Sequence, residues 1–89
     1  MRVSVTKQDI EINPTCPIEP ALERATGHNW RVSTHCAERQ VEVEEDGDFV
    51  FKTALIDLPD IAADYIVAAA AGEPKGTLEF DIEEPYLVG

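Results

Sequence analysis

The sequence predicts an α+β domain with the element order β-α-β-β-β-α-β, an antiparallel sheet covered by two helices. Three observations carry that prediction. Two stretches place apolar residues at helical spacing, several others alternate with period two, and the links between the middle strands are too short for crossovers. With 89 residues the chain has room for one hydrophobic core. Residues 1–82 therefore read as one compact unit, and 83–89 as a C-terminal tail that either packs or dangles.

Arg2 to Thr6 alternates, with Val3 and Val5 on one side, and Thr6 followed by Asp9 offers a short helical or turn start. Asn13, Pro14 and Thr15 break the chain. Cys16-Pro17-Ile18-Glu19 then reads as a helix amino terminus, with proline near the first helical position and an early glutamate favoured by the macrodipole. Ile18, Ala21, Leu22 and Ala25 recur at helical spacing and Gly27 is placed to terminate, which predicts a helix over about 17–26. Pro20 is tolerated because it falls in the first turn.

From Asn29 the period changes to two, with Trp30, Val32 and Thr34 on an inner face. Val41 and Val43 alternate with Glu42 and Glu44, and Asp46-Gly47 sits between strand patterns as a tight hairpin turn. The return strand runs from about Phe49 to Leu55, with Phe49, Phe51 and Thr53 on a shared face. Leu58-Pro59-Asp60 opens a second helix whose apolar stripe is Ile61, Ala62, Tyr65, Ile66 and Ala69, ended by Gly72 with Pro74. Thr77 to Ile82 gives the last strand, with Leu78, Phe80 and Ile82 inward.

Eighteen Asp and Glu against seven Lys and Arg give a formal net charge of −11. The basic residues are scattered singly, whereas phosphate binding takes clustered ones, so direct nucleic-acid binding and anionic membranes are disfavoured. A basic partner is the electrostatic complement. The plainer reading of the same charge is solubility. The amino terminus alternates instead of presenting a continuous apolar run, so no secretory signal and a cytoplasmic location are expected.

Cys16, His28, His35 and Cys36 are the candidate soft and imidazole ligands, but their spacing is poor for zinc, whose ligands come in pairs a few residues apart. A packed thiol and surface imidazoles are expected, with no metal or cofactor. Cys16 beside a helix amino terminus is also a candidate low-pKa nucleophile. No oriented base or oxyanion site accompanies it, so packing is the simpler role and no enzyme is predicted.

The densest feature is acidic: Glu38, Glu42, Glu44, Glu45, Asp46 and Asp48 crowd the hairpin. A calcium loop fails, because with Gly47 at the obligatory glycine the closing glutamate position falls on Thr53. Alternating charge also protects an exposed sheet edge from pairing with other chains. The sharper expectation is a negative surface built from these six residues together with Asp60 and Asp64 at the start of the second helix. That surface would dock on a basic groove in the manner of a nucleic-acid mimic.

Two stretches, Cys16-Pro17-Ile18 leading to Gly27 and Leu58-Pro59 leading through Tyr65-Ile66 to Gly72-Glu73-Pro74, carry a resemblance. The chain resembles short uncharacterised proteins of bacteriophage and prophage genomes, in which a Cys-Pro-Ile start precedes an amphipathic helix. In them a Leu-Pro helix ends in Gly-Glu-Pro before a final strand. The resemblance implies a phage accessory protein acting in the cytoplasm of an infected bacterium. It points to an inhibitor of a host nucleic-acid-binding or defence complex, of anti-CRISPR type. The alternative is a structural or homo-oligomeric phage accessory domain, and a homodimer is compatible with either.

Overall fold

A computed structural model describes residues 1–73 and 76–88. The elements are β1 (Arg2–Val5), α1 (Lys7–Ile12), α2 (Ile18–Thr26), β2 (Arg31–Val32), β3 (Cys36–Glu45), β4 (Asp48–Asp57), α3 (Asp60–Ala70), β5 (Leu78–Asp81) and β6 (Tyr86–Val88). Mixed helices and antiparallel strands make this an α+β fold. Where one sheet was expected, the strands divide into two: β1 pairs with β5, and β2-β3-β4-β6 form a second antiparallel sheet. The division follows from partner choice. β1 takes the distant β5, with Val3 opposite Phe80, and reciprocal bonds between Met1 and Ile82 extend that ladder. The chain then crosses to the second sheet and lays Tyr86–Val88 along β4, so the segment read as a tail contributes an edge strand.

The two sheets close on one core. Val3, Val5, Phe80 and Ile82 come from the first, Ala37, Ala54 and Ile56 from the second, and Ile18, Ala21 and Leu22 from α2. At 1.5–3 kcal/mol for each large side chain fully withdrawn from water, roughly, this cluster is the main source of stability. The helix over 17–26 forms as its pattern dictates. Its C-cap Gly27 has φ 79, the left-handed conformation that a β-carbon would strain. Pro20 costs no hydrogen bond, because amide groups in the first turn have no partner inside the helix.

α1 is a full helix, with a capping box in which the Thr6 hydroxyl accepts from the Asp9 amide and Asp9 accepts from the Thr6 amide. β2 is shorter than the period-two run suggested, because the chain bends at Thr34 and His35 to begin β3. Trp30 nevertheless points inward, at 5% exposure. In α3, Ala62, Tyr65, Ile66 and Ala69 face inward as expected, but Ile61 is exposed and Ala63 is buried. These two flank the stripe on opposite sides, and only the Ala63 side is covered. Gly72 has φ 77 as a terminator, while Pro74 lies outside the described residues.

Candidate functional site

The hairpin of β3 and β4 dominates the shape of the molecule. Its turn has the positive φ angles of a tight two-residue connection, 51 at Asp46 and 84 at Gly47, so its twist matches that of the strands. Ten residues pair with ten, from Cys36 opposite Asp57 to Glu45 opposite Asp48. β2 pairs only with Ala37 and Glu38, and β6 only with Thr53 to Leu55. The distal half of the hairpin therefore has both edges open. It projects past the core, which accounts for extents of 50 × 22 × 22 Å.

Register decides what each face carries, because residues directly opposite share a face. Glu38, Glu42 and Glu44 lie on the outer face opposite Leu55, Phe51 and Phe49 respectively. Nothing in the described structure covers this face, and Phe49 and Phe51 are 69% and 73% exposed. Val88 and Tyr86 continue the apolar row from β6. The result is a row of glutamates along β3, interrupted by Gln40, beside a row of aromatic and aliphatic side chains along β4 and β6, interrupted by Thr53, which accepts from Gln40 Nε2 at 3.2 Å. Arg31, opposite Glu38, is the one base on this face among the described residues.

The eight expected partner-binding residues do not form one cluster. Glu38, Glu42 and Glu44 share the outer face, Asp46 occupies the turn, and Glu45 and Asp48 point to the other face. There Glu45 accepts from Lys52 Nζ at 3.3 Å. Asp60 and Asp64 are exposed on α3, beyond the far end of β4 from the turn. The ten residues of β4 span about 30 Å at the rise of an antiparallel strand. The helix carboxylates thus belong to a different part of the surface from the hairpin tip, and the coherent patch is narrower and more apolar than charge alone suggested. Phe49 and Phe51 were missing from the expected site although a signal for them existed. A two-residue turn at 46–47 by itself fixes Glu44 opposite Phe49 and Glu42 opposite Phe51.

The other candidates for chemistry lie apart. Cys16 is half-buried ahead of α2, His28 and His35 are exposed, and Cys36 sits opposite Asp57 at the base of the hairpin. Among the described residues no three His, Cys, Asp or Glu side chains converge as metal ligands would. Burial pushes the Cys16 thiol up, and the neighbouring Glu19 carboxylate adds to the effect, so the adjacent helix start does not activate it. Native Cys16 is accordingly expected to react with a chromogenic disulfide at neutral pH at least about tenfold more slowly than in urea-unfolded chain. A rate at or above the unfolded one would mean an activated thiol.

Elsewhere, Tyr86 donates its hydroxyl to Asp57 Oδ1 at 2.9 Å, tying β6 to the end of β4. That bond raises the pKa of the phenol. Asp9 is fully buried and receives both terminal nitrogens of Arg24 at 2.8 Å, while Arg24 Nη2 also donates to the Ser4 carbonyl. This pair, with Asp9 buried and Arg24 half in water, joins α1, α2 and β1. It has the character of a structural lock, because all its partners are internal.

No helix among the described residues is long and apolar enough to cross a membrane. No protein-family model matches the chain, and no curated protein or solved structure is detectably similar to it.

Proposed function

We propose that this protein is a stoichiometric binder whose hairpin docks, by its outer face, on a basic surface of a host nucleic-acid-binding or defence complex and blocks it. The observation that carries this reading is the placement of Phe49 and Phe51, largely solvent-exposed, directly across from Glu44 and Glu42 on an uncovered sheet face. Exposed apolar groups at that density on a projecting element suit a contact surface. Aromatic anchors supply binding energy, and flanking charge supplies orientation and speed of encounter. A nucleic-acid-binding groove offers both lysine and arginine side chains and apolar stems for such a face. The phage accessory role, in a bacterial host cytoplasm and of anti-CRISPR type, rests on the sequence resemblance and belongs to the same proposal.

The test is affinity capture from bacterial lysate at low and high salt, with wild type and the Glu42→Lys/Glu44→Lys variant side by side. Charge-guided docking should weaken steeply with salt and fall at least about tenfold on reversal. A captured partner that tolerates both changes would remove the acidic row from the mechanism.

The open edges of the distal hairpin favour a second reading, self-association into a structural accessory domain through β3 or β4. The glutamate row opposes it, since edge pairing would bring like charges together. Sedimentation over a concentration series separates the two: a monomer throughout supports docking on another protein, and a concentration-dependent dimer supports the alternative.

A further inference from the structure

On the inner face of the larger sheet, away from the proposed docking surface, one cross-strand row has an unusual composition. Continuing the β2-β3 register by one residue puts Trp30 opposite Arg39. Arg39 is opposite Ala54, and Ala54 is opposite Leu87. These four residues line a cavity of 280 Å³, closed further by Val41 and bordered by His28. Its walls are mostly apolar, with Thr26 and His28 as further polar lining residues. Its charged group is the Arg39 guanidinium, stacked 5.5 Å from the centroid of Trp30.

Arg39 is out of place unless something pairs with it. The protein has eighteen carboxylates. Among the described residues, however, the ion pairs engage Arg2, Arg24 and Lys52 and leave Arg39 without a carboxylate. Its Nε is buried and has no hydrogen-bond partner. Arg31 and Lys7 also lack ion pairs, but both are exposed and hydrated, whereas Arg39 is half-buried. A buried donor left unmade forfeits its full desolvation cost, so such groups ordinarily mark a missing acceptor. Trp30 cannot be that acceptor for Nε, and its own indole N–H is spent on Thr26 Oγ1 at 2.8 Å. The indole is thereby fixed in orientation beside the cavity that it lines.

We infer that this cavity is a binding site for a small organic monocarboxylate with an apolar, preferably aromatic, body. Its carboxylate would accept from the Arg39 fork in the geometry that guanidinium matches best, and its body would lie against Trp30, Val41 and Leu87. The volume falls just below the range of about 300–1,000 Å³ typical of pockets for drug-sized molecules, which restricts the ligand to a single ring or short branched chain. Leu87 belongs to β6, so an occupied site would also hold the C-terminal strand against β4.

The test uses phenylacetate as the probe and phenylacetamide as its uncharged match. Trp30 is the chain's only tryptophan, so its emission and its indole N–H resonance both report on the site directly. Phenylacetate is expected to shift both signals saturably, with a dissociation constant on the order of 0.1–1 mM for a ligand of this size. The amide should bind at least about tenfold more weakly, and Arg39→Gln should abolish the difference between the two. Equal responses to acid and amide in the wild type, or no saturable shift with either, would overturn the assignment without recourse to any variant. Undiminished preference for the acid in folded Arg39→Gln would overturn it as well.

Discussion

Replacing Arg24 by alanine is expected to lower the unfolding free energy by about 3 kcal/mol at neutral pH, more than replacing Asp9 does. The reason is asymmetry of burial. Asp9 is 0% exposed, while the Arg24 side chain is 52% exposed. Removing the arginine strands a carboxylate with only Thr6 as partner, through its amide at 2.8 Å and hydroxyl at 3.1 Å. Removing the aspartate instead leaves a guanidinium already half in water, so the loss is the pair itself and one side of the Thr6 capping box. The lower end of the range for buried pairs applies to Arg24→Ala because screening at the exposed side of the guanidinium weakens the attraction.

The pH dependence of that effect has a definite sign. The bond to Arg24 holds the Asp9 carboxyl below its ordinary value of 3.8, against the opposing effect of burial. A depressed carboxyl contributes stability that is complete above the unfolded value and is lost as pH falls through the folded one. In Arg24→Ala the main depressing cause is gone and only the Thr6 bonds still hold the carboxyl down against burial, so ionising it stabilises the variant less than the wild type. The gap between wild type and variant is therefore largest at neutral pH and shrinks as pH drops below 3.8. Urea denaturation followed by Trp30 fluorescence at neutral and acid pH measures both. A gap that is constant, or wider in acid, would contradict the assignment of the pair.

The Phe49→Ala/Phe51→Ala variant is expected to fold as well as the wild type and to lose partner binding by about 100-fold or more. Both rings are more than two-thirds exposed, so truncation removes little buried area and stability should stay within roughly 0.5 kcal/mol. At an interface the same truncation removes two central aromatic anchors, each of the kind that costs about 2 kcal/mol or more. The combination of unchanged denaturation and lost capture distinguishes a contact surface from a core. Retained binding in this double variant, with loss in Glu42→Lys/Glu44→Lys, would reduce the contact to charge alone.

Local pattern was enough for most elements of this protein. The period-two runs, the Asp46-Gly47 turn, the Ile18–Leu22 stripe and Gly27 as its terminator each depend on residues within one turn or one strand of one another. Such residues therefore specify helix, hairpin and cap without help from elsewhere. The turn also fixes which glutamates oppose which phenylalanines, because a two-residue connection sets the register of both strands. Long-range choices were different in kind. That β1 pairs with β5 to make a second sheet, that Tyr86–Val88 docks as an edge strand, and that Ile61 rather than Ala63 faces water all depend on which surfaces meet after the chain has closed. The same holds for function. Sequence alone supplied the acidity, but only tertiary structure separated Asp60 and Asp64 from the hairpin tip, buried Asp9 against Arg24, and left Arg39 beside Trp30 without a carboxylate. Charge is a property of composition, whereas the pairing of charges is a property of distance, and distance between remote residues is set by the packed core.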